Sequence, residues 1–458
     1  MHLNRNDTIA AMATPSGGAI GILRLSGPKA IDITASLFRP AKRGWLLTDA
    51  HANTLHYGLL QSVQGEDIDD VIVSVYQAPH SYTGEDCIEI SCHGSAYVLQ
   101  QALHALIDAG ARQARPGEFT QRAYLNGKMD LSQAEAVADL IASTNKATHR
   151  LALSQLKGHF SSELAALREQ LLKMTSLVEL ELDFSDHEDI EFANRDELHQ
   201  LACTIRNRIT SLARSFETGN AIKKGIAVAI VGKTNVGKST LLNKLLREDK
   251  AIVSDIHGTT RDVIEDIIDI HGISFRFIDT AGLRNTEDHV ERIGIERAYQ
   301  KLDEAVIVLW VVDQQPTEAE VKEMLSRTQD KKMIVVLNKA DLAHVPLTTL
   351  PSPVSSISIS AKYGQGMNEL EEAIYTAADI PQLEENSVIV TNARHYEALT
   401  RAHASIVRVI EGLDLNLSGD LLAEDLRICI EELGEITGGA ITPNEVLGNI
   451  FKHFCIGK

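Results

Sequence analysis

The chain has 458 residues, 44% of them apolar, with 44 Lys and Arg against 63 Asp and Glu. That length exceeds one compact core and, at roughly 150 residues per domain, points to about three domains, while a formal charge of -19 argues against a self-sufficient nucleic-acid binder, which needs clustered cations for phosphate contacts. No stretch approaches the ~18 to 20 uninterrupted apolar residues that cross a bilayer, and the opening MHLNRNDTIA lacks the apolar core of a signal peptide, so a cytoplasmic protein without a membrane partner is expected.

Residues 1 to about 120 mix short strands and turns and read as a separate α+β unit. From about Leu131 to Leu182, apolar residues recur at three- and four-residue spacing without a proline, the pattern of long amphipathic helices. From about Gly225 to Ala378 the pattern changes to short β-branched runs, IAVAIVG, ISFRFIDT, VIVLWVVD, KKMIVVLN and SSISISA, alternating with helical stretches. That alternation predicts an α/β sheet inserted into a helical domain. The linker-like DIPQLEENS leads to a second helical block, about His395 to Ile436. The lysine pair of AIKKGIA reads as a linker rather than an RNA patch, and acidic DFSDHEDIEF as a solvated interhelical loop, since it lacks the spacing of a calcium loop.

The inserted region carries the chemistry. VGKTNVGKST fits G-x-x-x-x-G-K-[ST] from Gly232 to Ser239, after an apolar strand and at the start of the helix STLLNKLL. Glycines there let backbone N–H groups face phosphates, Lys238 meets the β and γ oxygens, and Ser239 can bind Mg²⁺. GTTRD (Gly258 to Asp262) offers a threonine, best Thr260, to Mg²⁺ and the γ-phosphate. DTAG (Asp279 to Gly282) ends a strand, so that Asp279 can hold the metal's water shell while the Gly282 amide senses the γ-phosphate. NKAD (Asn338 to Asp341) selects the base, because the Asp341 carboxylate accepts from guanine N1 and N2; SAK (Ser360 to Lys362) completes the base-side loop. Four ordered motifs in strand-loop-helix context read as a Ras-like P-loop GTPase.

The place of the water-orienting glutamine, directly after the D-x-x-G glycine, holds Leu283, which cannot hydrogen-bond a water. An arginine finger contributes ~10³ to 10⁵ in rate, so a substitute is needed. Nearby candidates are Arg284, Glu291 and Asn235, whose side-chain oxygen could coordinate a monovalent cation near the phosphates.

NDTIAAMATP, GILRLSG, SYTGEDCIEI, ARPGEFTQRAYLNGKMDL, GTTRD, DTAGLRNTEDHVERIGIERA and the terminal FCIGK together resemble the MnmE (TrmE) family of tRNA modification GTPases over essentially the whole chain. The resemblance implies four segments: a tetrahydrofolate-binding and dimerisation domain at 1–122, a first helical segment at 123–222, a TrmE-type G domain at 223–379, and a second helical segment with the C-I-G-K tail at 380–458. The fold class expected is thus multidomain α/β plus α, with an N-terminal α+β folate-binding-like domain, a discontinuous helical domain and the inserted GTPase.

The resemblance also implies a homodimer whose G domains meet when GTP binds, with K⁺ acting where a finger would otherwise sit. The K⁺ ligands would be Asn235, the backbones of Ser254 and Ile256, and Thr259, with Ser239 and Thr260 on Mg²⁺ and Glu291 positioning the attacking water through a second water. GTP contacts carry over to Asn235, Val236, Gly237, Lys238, Ser239 and Thr240; to Ser254, Asp255, Ile256, His257, Gly258, Thr259 and Thr260; to Asp279, Thr280, Ala281 and Gly282; and to Asn338, Lys339, Asp341, Ser360, Ala361 and Lys362. Ser254 stands where a relative carries Thr, and GKTN where others have GRPN; a backbone ligand tolerates the first change and Asn235 survives the second. Matching positions for 5-formyl- or 5,10-methylene-tetrahydrofolate are Arg24, Glu89, Lys128 and Lys458.

Cys455 is the last candidate. Cys87, Cys92, Cys203, Cys429 and Cys455 form no C-x-x-C pair and read as reduced thiols. The ending C-I-G-K is no prenylation signal, and no ligand set for zinc surrounds it. His453 could favour a thiolate, and in the family the tail folds toward the folate pocket, so a catalytic or positioning role is open beside that of a small packed side chain. The function expected is a K⁺-dependent GTPase that, with a FAD-containing partner of the GidA (MnmG) type in a heterotetramer or larger assembly, adds an aminomethyl or carboxymethylaminomethyl group to C5 of the tRNA wobble uridine. The tRNA would be held largely through the partner. Other expectations compatible with the G motifs are a regulatory or ribosome-assembly switch without one-carbon chemistry, and a folate-dependent methyltransferase with a regulatory GTPase.

Overall fold

The structure is a computed structural model and describes residues 6–183, 195–247, 266–278, 304–342, 355–381, 387–439, 447, 450–452, 454 and 457. They form two compact units, one of Met1–Ile141, Gln155–Arg206 and Arg401–Lys458, the other of Ala142–Ser154 and Asn207–Thr400.

In the first unit, strands β1 (Ile9–Met12), β2 (Ile20–Ser26), β3 (Phe38–Pro40), β4 (Thr54–Gln61), β5 (Asp67–Tyr76), β6 (Cys87–His93) and β7 (Arg112–Gln113) form a sheet in the order β3-β4-β5-β6-β2-β1-β7. Side chains of a strand alternate between faces. Leu23 and Leu25, Val71, Val73 and Val75, and Ile88 and Ile90 accordingly share one face and bury against Leu99, Leu103 and Leu106 of the helix Ala96–Asp108. Each such side chain contributes about 1.5–3 kcal/mol when fully buried. The same alternation sends Arg24 and Glu89, which are directly opposed across β2 and β6, to the other face.

The helical portion of this unit includes His159–Asp183, the first stretch of Arg195–Lys224, the end of Ala393–Asp414, and Gly419–Thr437. Ion pairs lace its outer faces, Arg401 to Glu432 and Glu435, Arg408 to Asp425, and Arg427 to Glu179. The end of the chain docks here too: Leu447, Phe451 and Phe454 pack with Leu131 and Ala134 of the helix Leu131–Ala142, and the Tyr124 hydroxyl donates to the Gly438 carbonyl at 3.2 Å.

The second unit is built on β8 (Ile226–Val231), β9 (Asp266–Ile270), β10 (Ile273–Ile278), β11 (Ile307–Val312), β12 (Lys332–Leu337) and β13 (Ser355–Ser358), in the order β13-β12-β11-β8-β10-β9. All neighbours run parallel except the β9–β10 hairpin. A parallel sheet is covered on both faces, which is why β8, β11 and β12 are nearly unbroken apolar runs. On one face Val228, Phe275, Phe277, Leu309 and Val336 meet Leu241, Leu242 and Leu245 of the helix Lys238–Arg247 and Leu370 and Ile374 of Met367–Ala377. On the other, Ala227, Ala229, Val308, Trp310 and Val335 meet Val321 of Glu318–Arg327.

The expected linker at AIKKGIA is instead helical: Lys223 and Lys224 form the last turn of Arg195–Lys224, where cations face the negative end of the helix dipole. Among the described residues no helix is long and apolar enough to cross a membrane.

Candidate functional site

Ligands of open α/β sheets bind beyond the carboxyl ends of the parallel strands, and three of the nucleotide motifs lie there, after β8, β12 and β13. The loop between β8 and the helix Lys238–Arg247 turns through positive φ at Asn235 (60°) and Gly237 (94°). Asparagine is among the few side chains that enter this region readily. At Gly237 a side chain is excluded twice, by the backbone angle and by Asn338, whose Nδ2 a Cβ would strike. The loop therefore offers backbone N–H groups at a helix N-terminus, an anion-binding arrangement.

Lys238 Nζ donates to the Gly232 carbonyl at 2.7 Å and to the Lys233 carbonyl at 2.6 Å. Burial pulls its ammonium below the ordinary lysine value. The charge thus lies over the loop itself, where an incoming phosphate would replace the two carbonyls as its partner. Asn338 is 4% exposed and ties three motifs together. Its Nδ2 donates to the Val236 carbonyl at 2.8 Å, and its Oδ1 accepts from the Ala361 amide at 3.0 Å. Asp341 is exposed, and its Oδ1 accepts from the Ser360 hydroxyl at 2.6 Å, which fixes the carboxylate. Lys339 pairs with Asp313 at 2.9 Å, and Lys362 lies 5.2 Å from the Tyr363 ring centre. Ser239 and Thr240 occupy the first turn of the helix. A phosphate and a guanine fit this set of donors and acceptors, and the Ser239 hydroxyl is an oxygen donor of the kind Mg²⁺ takes.

In the first unit, Arg24 Nε and Nη2 both donate to Glu89 Oε1, at 2.9 and 2.7 Å. The pair is only partly exposed, 20% and 26%. Arg24 Nη1 reaches the Gly457 carbonyl at 3.3 Å, so the end of the chain lies beside the pair. Tyr82 and Phe119 present their rings to the guanidinium at 5.5 and 5.8 Å, and the Tyr82 hydroxyl bonds to Thr120 Oγ1 at 2.9 Å. Burial raises the Tyr82 hydroxyl above its ordinary value, with the Thr120 bond and the Arg24 charge opposing it. Lys128 is exposed and donates to the Pro79 carbonyl at 3.0 Å, while its stem lies against Gly84 of the loop that carries Tyr82.

The same unit holds an ionic cluster in which Glu118 and Arg122 are buried. Arg112 and Arg122 share Asp7 and Glu118, and Arg122 also reaches Glu85. Burial pushes Glu118 up, but hydrogen bonds from Arg112 and the Arg115 amide and the charges of Arg112 and Arg122 outweigh it and hold the carboxyl below its ordinary range.

The family profile described as the MnmE helical domain matches residues 131–455, and that described as the GTP-binding protein TrmE N-terminus matches residues 8–128. The tRNA modification GTPase MnmE of Bacteroides fragilis is 56% identical over 465 residues, covering 99% of both chains, and that of Phocaeicola vulgatus 54% over 504, covering all of both. The chain belongs to the MnmE family of tRNA modification GTPases. It is a GTP hydrolase with the family's N-terminal domain, helical domain and P-loop G domain.

For this MnmE-family chain the structure brings Val236, Gly237, Asn338 and Ala361 into contact and joins Asp341 to Ser360, while Asn235 and Lys238 lie on the same loop as Val236 and Gly237 and Lys238 bonds the Gly232 carbonyl. It also joins Arg24 with Glu89. Lys128 lies on the neighbouring loop rather than in direct contact with that pair. Ser254, Asp255, Ile256, His257, Gly258, Thr259, Thr260, Asp279, Thr280, Ala281, Gly282, Leu283, Arg284, Glu291, His453, Cys455 and Lys458 lie outside the described residues. Tyr82, Thr120 and the Gly457 carbonyl belong to the Arg24 surroundings, yet nothing in the sequence reading singles them out. SYTGED, with its turn residues just before β6, is the available signal for Tyr82.

Proposed function

We propose that the chain hydrolyses GTP in a K⁺-dependent way to drive modification of C5 of the tRNA wobble uridine, adding an aminomethyl or carboxymethylaminomethyl group with a FAD-containing partner. What carries this reading is the coexistence, in one chain of the family, of a guanine-type loop set with a second polar site, Arg24–Glu89, that bonds the end of the same chain. In this reading Lys238 neutralises the β and γ oxygens, Ser239 with Thr260 holds Mg²⁺, and Asp341 accepts from guanine N1 and N2. Asn235, Ser254, Ile256 and Thr259 hold K⁺, which would supply positive charge where an arginine finger otherwise acts. Glu291 orients water in the place that Leu283 leaves unserved.

Arg24, Glu89, Lys128 and Lys458 would hold a 5-formyl- or 5,10-methylene-tetrahydrofolate, a ligand with both a heterocycle and carboxylates. The residues present fit such a group: a carboxylate for ring N–H donors, cations for its acids, and aromatic surface at Tyr82 and Phe119. The bound folate would supply the one-carbon unit. The charge of -19 supports a division of labour in which the partner holds most of the tRNA. The chain would act in the cytoplasm as a homodimer, with residues 1–122 for folate and dimerisation, 123–222 and 380–458 helical, and 223–379 as the G domain.

The test is the wobble-nucleoside profile of tRNA from cells with and without the gene. Loss of the C5-substituted uridines on deletion, and their return with the wild-type gene but not with Arg24→Ala, supports the reading. An unchanged profile on deletion overturns it.

A further inference from the structure

Cations are scattered through this acidic chain, with one exception. Arg39, Lys42 and Arg43 fall within five residues, a density that no other five-residue stretch reaches, and no Asp or Glu stands between Asp32 and Asp49. The fold of the first unit keeps them apart from acids as well. β3 pairs with β4 through Phe38–Leu60 and Arg39–Leu59. Phe38 turns into the core, so the alternation of a strand sends Arg39 outward, and Lys42, Arg43 and Gly44 follow on an exposed turn. Among the described residues none of these three side chains has a hydrogen bond or an ion pair, whereas Arg401, Arg408 and Arg427 of the same unit are all paired.

The turn is fixed to β4 at both ends. The Ala41 amide donates to the Tyr57 carbonyl at 3.1 Å, and the Trp45 ring stacks on His56 with centres 4.2 Å apart and planes at 26°. His56 Nε2 lies 2.7 Å from Thr54 Oγ1, and burial holds the imidazole below its ordinary value, so the stack is uncharged at neutral pH. Trp45 is one of two tryptophans in the chain; Trp310 is buried in the other unit, and Trp45 is partly exposed.

Surface cations are ordinarily a solvated run or a guard on an edge strand, and β3 is an edge of its sheet. That accounts for Arg39. It does not account for Lys42 and Arg43, which lie past the strand, or for the aromatic stack placed beside them. Unpaired cations next to an aromatic ring are the two parts of a contact with single-stranded nucleic acid, in which cations neutralise phosphates and the ring stacks a base. With a charge of -19 on the whole chain, such a contact has to be local.

We propose that Arg39, Lys42, Arg43 and the Trp45–His56 stack are this chain's own contact with tRNA, holding an unpaired loop by its phosphates and stacking one base on Trp45. The proposal rests on the reading that tRNA is the substrate, and it adds a place on this chain beside the larger share left to the partner.

The test titrates the full-length chain with an unmodified tRNA transcript over a range of potassium chloride concentrations. The triple variant Arg39→Gln, Lys42→Gln, Arg43→Gln should bind about tenfold or more weakly at about 0.1 M salt, with a slope of log affinity against log salt smaller by about 2, at ~0.7 per phosphate, while GTP turnover stays within about twofold of wild type. Tryptophan emission should fall on adding tRNA to wild type and not to Trp45→Phe, which keeps a ring against the core. Wild-type affinity and slope in the triple variant would overturn the proposal, as would a wild-type chain that does not bind tRNA, or a fall in emission that survives in Trp45→Phe. Retention on phosphatidylglycerol vesicles that the triple variant loses, with tRNA binding unchanged, would assign the patch to a membrane surface and overturn it too. Should the triple variant lose turnover, Lys42→Gln with Arg43→Gln, both on the exposed turn, decides by the same readouts with a slope change of about 1.4. The parent reading fails on an unchanged nucleoside profile in cells lacking the gene; this proposal fails on the binding data, whatever that profile is.

Discussion

In the proposed function, which purine the chain holds comes down to one carboxylate. Asp341 is exposed, yet the Ser360 hydroxyl fixes one of its oxygens, so the carboxylate is oriented before any base arrives. Guanine offers two donors, N1–H and the 2-amino group, to that acceptor. Asp341→Asn replaces an acceptor by a donor and should weaken GTP binding by about tenfold or more, the cost of losing a charge-assisted hydrogen bond. Xanthosine triphosphate, with a carbonyl at position 2, should gain affinity in the same variant. Competition binding with the two nucleotides checks this; unchanged preference for GTP would place base selection elsewhere.

A second residue-scale prediction concerns Glu118, which is 1% exposed and paired with Arg112 and Arg122. Removing one partner of a buried ionic cluster costs about 3–5 kcal/mol, so Glu118→Gln should lower the unfolding midpoint of the chain clearly. The pH sign follows from the direction of the shifts. Asp7 and Glu118 are both held below their ordinary values, against burial, by Arg112 and Arg122. Their contribution is present above the unfolded-state values near 4 and is lost as pH falls through the lower folded-state values. Between about pH 5 and pH 3 wild-type stability should fall more steeply than that of Glu118→Gln; parallel denaturation curves would mean that the cluster is not ionised in the fold.

At the scale of elements, the end of the chain is itself a piece of the Arg24 site. Phe451 and Phe454 anchor it against Leu131 and Ala134, and Gly457 then lies against the Met12 carbonyl at a φ of 97°. A side chain there would meet both the backbone strain and that carbonyl. Gly457→Ala should therefore shift the tail, reduce binding of 5-formyl-tetrahydrofolate measured by calorimetry, and leave GTP turnover as it was. Undiminished folate binding would detach the tail from the site.

The same contrast explains what could be read from the residues alone. The nucleotide motifs that follow β8, β12 and β13 are contiguous and each comes directly after a strand, so strand-loop order is visible in the apolar runs. Arg24 and Glu89 are 65 residues apart and meet only through the β2–β6 register, which no local pattern encodes; the family resemblance, not spacing, brings them forward. The Gly457 carbonyl carries no side-chain signal at all. Lys223 and Lys224 look like a linker because two cations before a sheet carry no periodicity, whereas at a helix end the dipole accounts for them.

For the whole molecule, the proposed function joins a G domain that lacks a water-orienting glutamine at Leu283 to a second site far away in sequence, and requires hydrolysis to drive chemistry there. Everything depends on how GTP is cleaved without that glutamine. The direct measurement is GTP turnover by the full-length chain in potassium and in sodium buffers at matched ionic strength. K⁺-assisted hydrolysis predicts a rate at least about tenfold higher in potassium, equivalent to about 1.4 kcal/mol of barrier. Equal rates in the two cations would contradict it.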